Sequence, residues 1–379
     1  ALGNERIGDF PYMSTIAFGN TIFYQNNGIY FDQTASQQKY AIENVTWEKT
    51  ESTDIGLDIS FLNNRLRVNG DYYWKNTKDM LLAMAIPDFL GFSDPDVNAG
   101  KMSTKGYELN VSWNDHIGDF SYGIASNFSD FTSKVGDLQG TQFLGDKVKM
   151  EGSEFNEWYG YVSDGLFLTE EDLKNSPKIN DKNTQLGDIK YKDISGPDGV
   201  PDGKISPEYD RVLLGSSLPH FLYGGNINLG YKNFDLSLAF QGVGKQNARL
   251  AREMVEPFRN NYGNFPAIID GNYWSPYNTD EQNAVAKYPR LTHVNKSSNY
   301  AMSDYWLFNG GYFRLKNITL GYTFPKEWMN AIGIKGARIY ASASDLFCLS
   351  KYPKGWDPEM GVSEYPITTS ILLGVSVNF

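Results

Sequence analysis

The feature that most constrains this chain is a two-residue period that recurs in runs of bilayer length. "ILLGVSVNF" closes the sequence with Ile371, Leu373, Val375, Val377 and Phe379 on one parity and Leu372, Gly374, Ser376 and Asn378 on the other. Successive side chains of a strand point to opposite faces, so this run has one apolar and one polar face. Termini ordinarily fray, and a strand patterned to its last residue needs a neighbour to hold it. The same period runs through "STDIGLDISF", "RLRVNGDYYWK", "KGYELNVSW", "FSYGIASNF", "YGGNINLGY", "FDLSLAFQ" and "YFRLKNITLGYTF", and more weakly through "ARIYASASD". With a run near Ser14 to Tyr24 this predicts about ten strands, each near the roughly 9–11 residues that a tilted strand needs to cross a bilayer.

The connections alternate in length. "LNN", "NDHIGD" and Lys232–Asn233 are short, whereas Thr77 to Ser103, Ser133 to Pro219 and Val243 to Gly310 are long. "PKEWMNAIGIKG" is intermediate, with room for a helical turn, and Leu346 to Pro366 is longer. Tight turns on one rim and extended loops on the other are the pattern of an outer-membrane barrel. Parity sharpens the reading. The apolar-parity residues nearest the short turns are Phe61, Trp113, Phe120, Tyr231, Phe234, Phe324 and Phe379, all aromatic. They form the expected periplasmic girdle, where rings sit at the headgroup boundary. A soluble β-sandwich would scatter its aromatics through the core and would not need loops longer than about 12–15 residues. The fold class expected is therefore all-β, an antiparallel transmembrane β-barrel with long extracellular loops. The opposite parity, rich in Asp, Asn, Ser, Gly and Arg, implies a wet or plugged lumen. Ten strands alone could also close a small barrel whose interior side chains fill it.

Composition bounds the partners. A formal net charge of -11 argues against a nucleic-acid partner, which wants a basic face. No stretch approaches the roughly 18 apolar residues of a membrane helix, which excludes helical spans only. The single cysteine, Cys348, excludes a disulfide within the chain. "ALGNERIGDF" is polar and charged, unlike a signal peptide, and a strand-like run follows almost at once. The expectation is a piece of a longer chain.

"NVTWEKTESTDIGLDISFLNNRLRVNGDYYWKNTKDML", "GKMSTKGYELNVSW", "YFRLKNITLGYTFP", "RIYASASDLFCLSKYPKGWDPE" and "YPITTSILLGVSVNF", taken in order, resemble the C-terminal part of SusC/RagA-type outer-membrane transporters, and "GNERIGDFPYMSTI" resembles a segment from the middle of such barrels. The resemblance runs along essentially the whole chain. It implies a TonB-dependent barrel of about 22 strands with a plugged lumen, of which residues 1–379 would supply about the last ten strands as one C-terminal portion of a single domain. It also implies a bacterial outer-membrane location, a SusD-like surface lipoprotein as lid, an N-terminal barrel half and plug, and TonB engaged through that N-terminal region. Substrates in the family are oligosaccharides or, in some members, peptides. Half a barrel leaves unpaired strand edges in lipid, so the chain is expected to be ordered only beside the other half.

Among residues that could carry chemistry, the densest acidic stretch is "DIKYKDISGPDGVPDGKISPEYDRVLLG". Asp193, Asp198, Asp202 and Asp210, with Gly199, Gly203 and Ser206, suggest a calcium loop, although counting from Asp198 puts Val200 and Tyr209 at ligand positions. The bland reading is a solvated Gly/Pro turn. The histidines His116, His220 and His293 lie far apart without metal spacing, Cys348 has no nearby His, and "GVGKQN" lacks phosphate-loop spacing. Asp357 and Glu359 lie in a loop, without the cleft that a glycosidase pair requires. Substrate or lid contact is better placed on the aromatic pairs of the long loops: Trp158 and Tyr159, Tyr273 and Trp274, Tyr305 and Trp306. Each could instead stiffen its own loop. The functional expectation is non-enzymatic: import of oligosaccharides or peptides. The alternative is a non-transporting barrel platform for surface lipoproteins or assembly machinery.

Overall fold

The computed structural model describes residues 2–3, 11–25, 28–37, 41–83, 89, 91–92, 95–140, 143–259, 264–360 and 364–379. Residues 4–10 of the opening segment that carries part of the resemblance lie outside the described residues. The long strands are β1 (Ile16–Gln25), β2 (Gly28–Gln37), β3 (Glu48–Phe61), β4 (Leu66–Ala83), β5 (Asp96–Ile117), β6 (Phe120–Val135), β7 (His220–Tyr231), β8 (Phe234–Lys245), β9 (Tyr312–Thr323), β10 (Gly336–Ser350) and β11 (Ser370–Asn378). One ten-stranded antiparallel sheet contains the short Leu2–Gly3 pair followed by β3 through β11 in chain order. β1 and β2 pair with each other as a separate hairpin.

Two sequence expectations change. Strand β2 was not among the expected runs. Its "GIYFDQTASQ" carries polar residues at positions that break a clean alternation, and only pairing with β1 makes it a strand. The stretch from Thr77 to Ser103 is mostly not loop either. β4 continues to Ala83 and β5 begins at Asp96, with register shifts around Met80. Asp79 there takes a left-handed φ of 56°, and the resulting bulge shifts the parity and hides the strand from a period-two reading. The helical turn in "PKEWMNAIGIKG" is present as Lys326–Ala331.

Cross-strand register merges the single-strand patterns into two continuous faces. Ile59, Val68 and Val111 are successive neighbours, as are Ile227, Leu238, Ile318, Ala343 and Ile371. On the opposite face Asp58, Asn69, Asn110, Asn127, Gly224, Gln241 and Arg314 form one row, polar at every position but Gly224. The seven rim aromatics share one face. From Phe61 the row crosses Leu66 to Trp113, and β5 then runs on to Ile117, which pairs with Phe120. Phe120 pairs with Tyr231, Tyr231 with Phe234, and Phe234 with Tyr322. Phe324 lies two residues beyond Tyr322, and Phe379 keeps the parity of Val375, which is linked to Tyr322 through Ile339. The hairpin tips step further along the strands across the sheet, from Phe61 to Ile117 and then to Gly336. Tilted strands whose ends lie in one plane require such a stagger. No helix among the described residues is long and apolar enough to cross a membrane, which leaves crossing by strands untouched.

Leu372 and Leu373 separate the two faces. In the full-length protein, Leu373→Arg should cost about 2–4 kcal/mol, the penalty for a cation on a lipid face near mid-depth, whereas Leu372→Arg should be nearly neutral. Urea unfolding of the vesicle-embedded protein measures the difference, and equal costs would refute the assignment of faces.

Candidate functional site: the polar wall and its capping loops

The polar face offers amides and hydroxyls in place of catalytic groups. Asn317 donates to Ser342 Oγ at 3.3 Å, and the Thr319 and Ser342 hydroxyls bond at 2.8 Å. A recess of about 760 Å³ lies against this wall, lined by Asn110, Asn127, Asn226 and Gln241, with Glu108 and Lys316 at its margin. Arg338 and Asp235 pair across the wall nearer the short-turn rim.

At the long-loop rim the connections 136–219 and 246–311 fold into a module with its own core. Tyr161, Leu166, Ile189, Tyr191, Val255 and Trp306 are buried together there. Short strand pairs bind the loops to each other, including Glu157–Tyr161 with Arg211–Gly215 and Asn247–Arg249 with Leu307–Asn309. Beneath this core sits a polar hub. Asp188 is fully buried, and its two carboxylate oxygens accept from Arg290 at 2.7 and 3.2 Å, from Asn295 at 2.8 Å, from Asn299 at 2.9 Å and from the Gln185 N–H at 2.9 Å. A buried charge is tolerable only when paired and hydrogen-bonded to this extent.

The aromatic pairs divide by role. Trp306 is 2% exposed, stacks on Tyr300 at 5.1 Å and donates its indole N–H to Asn299 O at 2.8 Å. It is core and cannot meet a ligand, because its loop closes onto two others. Tyr305 stands edge-on to Trp306 and donates its hydroxyl to Lys287 O. Trp158 donates to Asn247 O and carries the Lys147 ammonium 4.7 Å over its ring, while Tyr159 carries the Arg211 guanidinium at 4.4 Å. The Trp158 bond joins the two connections, and the Tyr159 contact ties two strands within the first. Tyr273 and Trp274 differ: with Tyr277, Gln185 and Arg290 they line a cleft of about 710 Å³. Gly187, at φ 82°, lets the Trp274 ring lie where any Cβ would collide at 2.3 Å. Tyr277, which the sequence reading passed over, is 97% exposed at this cleft.

In the acidic loop three of the four carboxylates turn to backbone N–H groups. Asp210 is fully buried and accepts N–H groups from Ile194, Ser195 and Ser206. Asp193 accepts from the Asp202 and Gly203 N–H groups, Asp202 from Lys204, and Asp198 is exposed. The carboxylates of Asp193, Asp202 and Asp210 thus hold their own turn. Among the described residues no three His, Cys, Asp or Glu groups converge as a metal site. The histidines are equally dispersed: His220 Nδ1 meets Asp130 at 2.8 Å and His293 stacks on Phe258.

Asp357 and Glu359 acquire a role that the sequence did not disclose. Both bond Arg314, a 3% exposed guanidinium on the polar face of β9, with Nη2 to Asp357 at 2.6 Å and Nε to Glu359 at 2.5 Å. Since Arg314 belongs to the polar row, the connection 351–360 must fold inward over the polar side of the wall. A charged residue at the inward parity of an otherwise regular strand is the one sequence signal that could have suggested it.

An antiparallel wall with one apolar and one polar face, a ring of rim aromatics and folded outer caps defines an outer-membrane barrel segment. The profile of the TonB dependent receptor-like β-barrel matches residues 11–346, and the chain belongs to that family. TonB-dependent receptor P3 of Formosa agariphila is 30% identical over 95% of this chain, and TonB-dependent receptor SusC of Bacteroides thetaiotaomicron is 28% identical over all of it. The chain spans 35% and 36% of those two relatives. A solved RagAB peptide transporter superposes over the whole chain and 39% of its own, with a TM-score of 0.74 and 22% identity, a likeness in fold.

Two outcomes follow for the module. Asp188→Ala strands Arg290, Asn295 and Asn299 and should remove about 3–5 kcal/mol of local stability. Hydrogen exchange in the caps would report this as faster opening, and unchanged protection would contradict the hub. Burial also pushes the Tyr191, Tyr300 and Tyr305 phenols well above the usual range, first by desolvation. In the unfolded chain they ionise near about pH 10, so the stability they lend is complete below that pH and declines above it. Tyrosinate absorbance during alkaline titration should show these phenols titrating only as the caps open.

Proposed function

We propose that this chain forms the substrate-facing wall and outer caps of a TonB-dependent importer of oligosaccharides or peptides in a bacterial outer membrane. A SusD-like surface lipoprotein serves as lid, and a plug and TonB supply gating and energy. The observation that carries the reading is the polar face running from Asp58 to Arg314, backed by an apolar face of equal extent. Such a wall passes hydrophilic solutes while its reverse meets lipid. The relatives, named as TonB-dependent receptors and SusC, favour import over catalysis. Ligands are met first at the outer cleft, where Tyr273, Trp274 and Tyr277 offer flat faces and Gln185 offers an amide. The next contacts are the amides of the wall recess. Binding of this kind holds substrate by stacking and hydrogen bonds, which suits release after capture.

The test is accumulation of labelled oligosaccharides and peptides in cells carrying the full-length gene. Uptake should require both the gene and TonB, and a surface lipoprotein should co-purify. Undiminished uptake after deletion of the gene, with the lipoprotein still bound to the protein in wild-type cells, would replace this reading with that of a platform. Trp274→Ala together with Tyr277→Ala should weaken capture about tenfold, the worth of one lost stacking contact of about 1.4 kcal/mol. Equilibrium binding to the purified complex measures it.

A further inference from the structure

A second cleft, of about 820 Å³, lies between the connection 246–311 and the inward-folded connection 351–360. Its chemistry differs from that of the Tyr273 cleft. Met254, Phe265, Pro266, Ala267, Ile268 and Trp356 give this second cleft a largely apolar lining. Asn264 and the indole N–H of Trp356 are the neutral hydrogen-bonding groups among the lining side chains. Sugars, edged all round with hydroxyls, gain little from Met254, Phe265, Pro266 and Ile268. An aliphatic or aromatic side chain would bury well.

Four charged side chains, Glu253, Glu256, Arg259 and Lys354, complete the lining. Lys354 is exposed and makes no ion pair among the described residues. Glu253 and Arg259 pair with each other at 2.7 Å, both well exposed. Exposed pairs of this kind contribute little and exchange readily with a ligand's charges. Glu256 adds no free charge, because it is buried and held by Arg252 at 2.6 Å and Lys296 at 3.3 Å. The cleft thus combines an apolar lining with one free ammonium and an exposed, exchangeable ion pair.

We propose that this cleft is a subsite for the C-terminal end of a short peptide. An apolar side chain enters between Phe265 and Trp356, and the terminal carboxylate meets Lys354. Arg314 is the positioning residue. Its bonds to Asp357 and Glu359 fix the turn that presents Lys354 and Trp356, and Trp356 packs against the core of the capping module. The inference rests on the import reading above and narrows the substrate class for this one subsite.

The probe is the tripeptide Ala-Ala-Phe, as the free acid and as its C-terminal amide, titrated calorimetrically into the full-length transporter complex. The free acid should bind about tenfold more tightly than the amide, the worth of one charge-assisted bond. Lys354→Gln, an exposed substitution, should abolish that ratio. Trp356→Ala should weaken both ligands together and leave the ratio. Arg314→Lys keeps the charge but loses the two-pronged fork, and should weaken both ligands and shrink the ratio. Equal binding of acid and amide by the unsubstituted protein, or a ratio that survives Lys354→Gln, overturns the proposal. So does binding of maltotriose in competition with the peptide at this cleft. None of these results touches TonB-dependent uptake, which is measured separately and whose failure would refute importer function while leaving the binding ratio as it stands.

Discussion

A backbone polar group cannot be left unpaired in hydrocarbon, where it costs several kcal/mol and has no water to turn to. The rest of this structure depends on that constraint. It forces β3 to β11 into an unbroken antiparallel succession, each strand satisfying the next. Once the ladder is continuous, the two-residue alternation of each strand adds to that of its neighbours. Residues as far apart in sequence as Asp58 and Arg314 thereby come to share one polar row. The faces are a collective property of the register, and a slip of one residue anywhere would turn one strand's apolar residues toward water.

Above the wall the problem is reversed. Long connections exposed to water need a reason to hold one conformation, and these find it by making a small soluble core of their own. Trp306 and its aromatic neighbours supply the apolar interior, and Asp188 supplies the polar one. The two kinds of interior are complementary. Apolar burial favours compaction of many arrangements, whereas a carboxylate with this many donors accepts only one, as a half-satisfied network would cost more than an apolar core. The cleft beside Tyr277 and the cleft beneath Trp356 are gaps between loops so fixed.

The wall was largely legible in the sequence because its information is local. A parity can be read from Ile371 to Phe379 without knowing what lies beside it. Where the structure departed, the departure was itself a break in parity, as at Asp79 and Met80, or a run too polar to alternate, as in β2. The candidate site was far less legible. Tyr305–Trp306 and Tyr273–Trp274 look alike as dipeptides, yet one pair is tied into the core and the other lines a cleft. The difference lies in which loops meet them. The side-chain partners of Asp188 are more than a hundred residues distant, and no local pattern names them. The acidic loop is ambiguous for a related reason. Alternating carboxylates suit a cation and equally suit the N–H groups of the turn they sit in, and only coordinates distinguish the two.

Sequence separation also bears on the order in which these parts come together. The clasp between Arg314 and Glu359 closes a stretch of 45 residues within the last strands of the sheet, whereas the Arg290–Asp188 bond closes 102 and the Asn299–Asp188 bond 111. Loop-closure entropy rises with the length closed, and long-range contacts form late unless local ones prepare them. We expect the inward-folded connection to be seated while the caps are still open, an order that pulsed hydrogen exchange during refolding would display or refute. The wall would then reach the end of its assembly with one side of the Trp356 cleft already built, waiting for the cap that completes it.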